Sequence, residues 1–115
     1  MSKGYWIVHS DISDMEQHAE YVQANRAVLA RYGARFLVRW GQQDIVEGTV
    51  RERQVVIEFP DYDAAVACYH DPEYEAAHAL RVGAAAGDFV IVEGYDGLQP
   101  APAAGLAPEA ALAAR

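Results

Sequence analysis

The run "GYWIVHSD" (4–11) is rich in aromatic and β-branched residues and closes on turn residues, which predicts a strand. A helical period follows. Met15, Ala19, Val22, Leu29 and Tyr32 fall on one side of a helical projection, with Glu16, Glu20, Gln23 and Arg31 elsewhere, so 14–32 reads as an amphipathic helix. Ser13-Asp14-Met15-Glu16 fits the capping pattern in which Ser13 accepts from the Glu16 amide and Glu16 reaches back. Gly33 supplies a left-handed C-terminal cap. "ARFLVRW" (34–40) and "RQVVIEF" (53–59) read as strands, and Glu47-Gly48 between them predicts a hairpin with a long or bulged connection over 41–52. Pro60 ends the second strand. Asp61 opens a helix with Tyr62, Ala65, Val66 and Tyr69 on one face. Asp71-Pro72, the favoured pair for a helix start, restarts it, and the second piece runs to about Val82. "GDFVIVEGY" (87–95) is the last strand.

The order strand, helix, strand, strand, helix, strand predicts an α+β ferredoxin-like sandwich, an antiparallel four-stranded sheet with its helices on one face. The other face then carries Ile7 or Val8, Leu37 or Val38, and Val56, an apolar surface suited to association. Two such sheets face to face make a symmetric homodimer, with an expected interface of about 2,000 Å² or more. Beyond residue 96 the composition shifts to alanine and proline, so 1–96 reads as the domain and 97–115 as a loose tail whose removal leaves the melting temperature nearly unchanged.

Composition narrows the partners. The 115 residues are 52% hydrophobic and carry a net charge of −8, with one lysine and eight arginines. That balance argues against nucleic acid and anionic membrane, both of which need a basic surface. A few arginines in a pocket still leave room for an acidic ligand. No apolar run nears the ~20 residues of a membrane span. The start, "MSKGYWIVHSD", lacks the apolar region of a secretory signal, and with a single cysteine, Cys68, the expected location is cytoplasmic. Nucleotide-binding and serine-hydrolase motifs are missing, and no histidines have metal-ligand spacing, so the expectation is no cofactor and no metal.

The segments "KGYWIVHSD", "YGARFLVRWG", "VVIEFPDYDAAVACYHDPEYEAAHALR" and "GDFVIVEG" resemble the family called domain of unknown function 1330, within the dimeric α/β-barrel group of ferredoxin-like proteins. The resemblance covers about 3–95, leaves out the tail, and implies the fold and the dimer. It implies no particular activity, because the group spans cofactor-free monooxygenases, isomerases, cyclases, haem-degrading enzymes and stress proteins. Where relatives tend to carry glycine, this chain has Ala34 and Trp40; the Trp40 ring is expected near one end of the sheet, where it narrows a pocket.

Strand parity supplies the candidate chemistry. A hairpin symmetric about residues 48 and 49 sets Arg39 opposite Glu58, as a structural ion pair at the dimer interface or as a ligand anchor with its counter-ion. His9 is the candidate general base, while His18 is expected at the surface or an edge. Tyr74, His78 and Arg81 form a stripe that is either a solvated face or a pocket rim, suited to a carboxylate or enolate; Ala77 and Leu80 beside it face the core. Tyr69 is core or pocket wall, and the break at Pro72 lets it converge with Tyr74. Cys68 is a small buried side chain. The expected function is a cofactor-free isomerase, cyclase or monooxygenase acting on a small carbonyl or acidic aromatic compound in a pocket of ~300 Å³ or more. The alternative is a dimeric binding or stress-associated module without catalysis.

Overall fold

Each helix starts where a short acidic side chain can satisfy free backbone N–H groups. In a computed structural model that describes residues 2–101, these caps delimit β1 (Gly4–Ile12), α1 (Met15–Arg31), β2 (Arg35–Arg39), β3 (Arg53–Phe59), α2 (Tyr62–His70), α3 (Pro72–Val82) and β4 (Ala85–Glu93). Asp61 accepts from the Ala64 amide at 2.7 Å, and Asp71 from the Glu73 amide at 2.8 Å with Pro72 next in line. At α1 the cap is Asp14, not Ser13: Asp14 accepts from the Gln17 amide at 3.0 Å. Ser13 instead donates to the Ala84 carbonyl through both its backbone N–H and its hydroxyl, pinning the β1–α1 corner to the start of β4. Gly33 adopts the left-handed conformation (φ 74°) that releases the chain from α1.

The strands form one antiparallel sheet in the order β2-β3-β1-β4, with the helices on one face: the ferredoxin-like arrangement. The core lies between sheet and helices around Trp6, whose ring meets Phe59, Tyr74 and Phe89 at centroid distances of 4.9–5.0 Å and whose indole N–H donates to the Ala65 carbonyl at 2.9 Å. Tyr21 and Tyr74 share a hydrogen bond at 2.7 Å, joining α1 to α3. Ala77 is buried and Leu80 packs on the core, as expected.

Two expectations are corrected. On α1 the buried side is rotated from the expected one: Leu29 is buried and Val22 and Tyr32 pack on the core as expected, but Met15 and Ala19 are exposed, and His18, Tyr21, Asn25 and Val28 are buried instead. The inward row thus carries two polar side chains, His18 and Asn25, among apolar ones. The hairpin register also differs. Arg35 stands opposite Glu58 and Phe36 opposite Ile57; a bulge at Leu37 follows, after which Val38 meets Val56 and Arg39 meets Val55. The extra residue reverses the parity of the strand end, so Arg39 points to the helix side while Glu58 faces away. Glu58 instead accepts from the Tyr5 hydroxyl at 3.1 Å.

The connection 40–52 is held by Arg51, which binds Asp11 at 2.8 Å and Asp88 at 3.0 Å, while Asp11 also accepts from the Glu52 amide. On the helix-free face, register resolves the sequence alternatives to Ile7 with Val38 and Val56, and adds Val90 and Val92 of β4. Residues 97–101 have no regular structure; most of the expected tail, 102–115, lies outside the described residues.

Candidate active site in the cleft between helices and sheet

A cleft opens where β2, β3, α1 and α3 converge. Its floor is Trp6, Val8, Val55, Ile57 and Phe89 from the sheet; its walls are His18, Tyr21 and Asn25 of α1 and Arg81 of α3; Phe36, Arg39 and Trp40 stand at its β2 end. Ser10, His18 and Asn25 are each less than a tenth exposed, yet all three line this space. The cavity is about 50 Å³. That is well below the ~300 Å³ or more expected from the sequence and holds only a small polar group; Phe36, Arg39 and Trp40 border its mouth.

Trp40 reaches this position through a strained backbone. Its φ is 57°, a left-handed value that bulky residues rarely take and that costs roughly 1–3 kcal/mol. Its ring lies 5.5 Å from that of His18, and the Arg53 guanidinium sits 4.5 Å from its centroid. Arg39 stacks on Phe36 at 4.4 Å. Arg81 lies 5.3 Å from the Phe89 ring and 5.8 Å from that of Tyr21. Its Nε is the buried side-chain nitrogen that lacks a partner among the described residues.

Burial pushes His18 below the ordinary histidine value, and the positive charges of Arg39, Arg81 and Arg53 push it the same way. The imidazole is therefore neutral at physiological pH, a form able to accept a proton. Burial, with Tyr21 beside it, raises the Tyr74 phenol far above its usual range, so Tyr74 acts as a hydrogen-bonding group and not as an acid.

Residues 3–95 match the family described as Domain of unknown function (DUF1330). The chain belongs to this family. No curated protein matches it. Among solved structures, this DUF1330 chain is similar to RPA0582, a protein of unknown function from Rhodopseudomonas palustris, with a TM-score of 0.69 at 17% identity over 83% of this chain and 84% of that one. It is similar to SnoaB, a cofactor-independent oxygenase from Streptomyces nogalater, with a TM-score of 0.60 at 9% identity over 85% and 98%. A dimeric ferredoxin-like protein of unknown function from Thermobifida fusca gives 0.51 at 19% over 80% and 89%. At such identities the likeness is one of fold.

The sequence-derived candidates divide between the two faces of the DUF1330 sheet. Arg39, Trp40 and Arg81 meet at the cleft. His9 and Glu58 lie on the opposite face. His9 is exposed and hydrogen-bonded through Nδ1 to Gln54, and it is four positions along β1 from Tyr5, the residue opposite Glu58. At ~3.3 Å per residue that is about 13 Å, too far for joint action on one atom. The expected trio of His9, Arg39 and Glu58 is therefore not brought together. Tyr74 is buried rather than solvated, and Tyr69 packs against it at 5.4 Å as core, the predicted convergence. His78 is half-buried outside the cleft lining. Cys68 is fully buried, and burial pushes its thiol up to about 12, so it is no nucleophile.

Sequence reasoning missed His18, Asn25, Ser10 and Arg53. A signal existed for the first two: His18, Tyr21, Asn25 and Val28 recur at helical spacing as an unbroken row, competing with the row through Met15. Among the described residues there is no cluster of potential metal ligands, and no helix is long and apolar enough to cross a membrane.

Proposed function

We propose that this protein is a homodimer that binds a small organic molecule in the cleft between helices and sheet and transforms it without a cofactor. The observation that carries this reading is the inward face of α1. A helix selected only for stability would present apolar side chains there, because burying an amide or imidazole without full compensation costs about 1–3 kcal/mol. Here His18 and Asn25 occupy that face and border open space. Trp40 adds to this: backbone strain persists where the surroundings or a function require it. The small interior fits the polar end of a ligand, and Trp40 and Phe36 offer flat apolar walls for its body at the mouth. The cofactor-independent chemistry of SnoaB supports the absence of a prosthetic group by analogy of fold alone. The homodimer rests on the uncovered apolar face of Ile7, Val38, Val56, Val90 and Val92, and on the dimeric Thermobifida fusca neighbour.

Asn25→Leu tests the cleft. Thermal unfolding and ligand-observed NMR against a library of small aromatic and carbonyl fragments are compared with the unsubstituted chain. The expected result is a melting temperature unchanged or raised by a few degrees, at about 4–8 °C per kcal/mol for a domain of this size, together with at least tenfold weaker fragment binding. Binding that survives the substitution, or a clear loss of stability, would make Asn25 a packing residue and remove the support for the site.

A further inference from the structure

The cleft has a charge character opposite to that of the chain. Acidic residues outnumber basic ones by 17 to 9, yet the lining contains Arg39 and Arg81 and no aspartate or glutamate. The carboxylates that pair with arginine elsewhere are engaged: Asp71 and Glu73 bind Arg31, and Asp11 and Asp88 bind Arg51. Among the described residues neither Arg39 nor Arg81 has an ion-pair partner; the Arg81 guanidinium lies beside the Tyr74 hydroxyl, but its buried Nε–H has no hydrogen-bond partner. A half-buried Arg81 in the wall and an exposed Arg39 at the rim, neither with a counter-charge, offer an anion two points of attachment, and arginine presents a planar fork that matches a carboxylate. His18 borders the same space as a neutral base.

Taking the cleft as the ligand site, we propose that it receives a small enolisable carboxylic acid, with Arg39 at the mouth on the carboxylate, Arg81 on the carbonyl oxygen, and His18 moving the proton on the carbon between them or beside the carbonyl. In the step, a ring nitrogen of His18 takes that C–H proton. The C–H electron pair becomes a C=C bond, and the carbonyl π pair moves onto oxygen to give an enolate. The buried Nε–H of Arg81 donates to that oxygen where charge develops. The imidazolium then returns its proton to oxygen or to carbon. Nothing is oxidised or reduced, and the net change is a 1,3-proton shift, so no co-reactant is required. A bound carboxylate offsets the arginines around His18 and brings its basicity toward working pH, where a general base is most effective.

Phenylpyruvate is a suitable probe: it is an α-keto acid with an aromatic body and an exchangeable CH₂ group. Its proton–deuterium exchange in D₂O is followed by NMR, and its affinity, with that of benzoate, by calorimetry. The intact protein is expected to bind both acids and to accelerate exchange above the buffer rate. His18→Gln should lower the catalysed rate by about 100-fold or more, the low end for general base catalysis, with affinity changed less than threefold. Arg39→Met should weaken binding of both acids at least tenfold and change the saturated rate far less. His18→Asn repeats the test if circular dichroism shows that the glutamine variant does not fold. Binding without accelerated exchange, or exchange that survives both His18 variants, would overturn the proton-transfer assignment and leave a binding cleft. Failure of both acids to bind would overturn the anion assignment; the fragment test with Asn25→Leu judges the cleft itself separately.

Discussion

Val56→Asp is expected to leave the proposed homodimer as single chains. Val56 lies near the middle of the helix-free face, in register with Ile7 of β1 on one side and Val38 of β2 on the other. If a second sheet covers this face, the new carboxylate is surrounded by apolar side chains, and an unpaired buried charge costs several kcal/mol even after relaxation. At 1.4 kcal/mol per tenfold, dimer dissociation should rise by at least 100-fold. Sedimentation equilibrium at micromolar concentration should give twice 12.6 kDa for the intact chain and 12.6 kDa for the variant. A single-chain mass for the unsubstituted protein would refute the homodimer outright. An unchanged dimer in the variant would move the interface to another surface.

Trp6→Ala should be the most damaging single truncation. The side chain is 1% exposed and sits among Phe59, Tyr69, Tyr74 and Phe89. Its removal leaves a large cavity bounded by elements that cannot close over it, and it also leaves the Ala65 carbonyl without the indole N–H. Tryptophan-to-alanine changes in cores typically cost about 3–5 kcal/mol. With a hydrogen bond lost as well, the upper end applies, a fall in melting temperature of about 20 °C or more. Thermal and urea unfolding measure this directly. A loss under 1 kcal/mol would mean that the core is not organised around this ring.

The fold was legible because its punctuation is local. Asp61, Asp71-Pro72 and Gly33 act within a few residues of themselves, so caps and breaks can be read from short segments. Even there, Asp14 took the role assigned to Ser13, because Ser13 found a partner 71 residues away in Ala84. The site was less legible because it depends on long-range geometry. One bulged residue, Leu37, sends Arg39 to the helix side and undoes its pairing with Glu58. Nothing in "ARFLVRW" marks that bulge. Counting apolar periodicity on α1 rewards Met15 and Ala19 and penalises His18 and Asn25, although the polar pair is the one turned inward. A pattern that looks only for apolar residues thus fails where polar side chains border open space. Trp40 was singled out because relatives tend to have glycine there, and its left-handed backbone is the conformation for which glycine is suited.

Ligands are expected between helices and sheet, not between two sheets. A crystal structure of the protein soaked with benzoate tests this most directly. Carboxylate density is expected within hydrogen-bonding distance of Arg39 or Arg81, with the ring against Trp40 or Phe36. Benzoate bound instead beside His9 or Glu58 on the helix-free face, with the cleft left empty, would refute this placement.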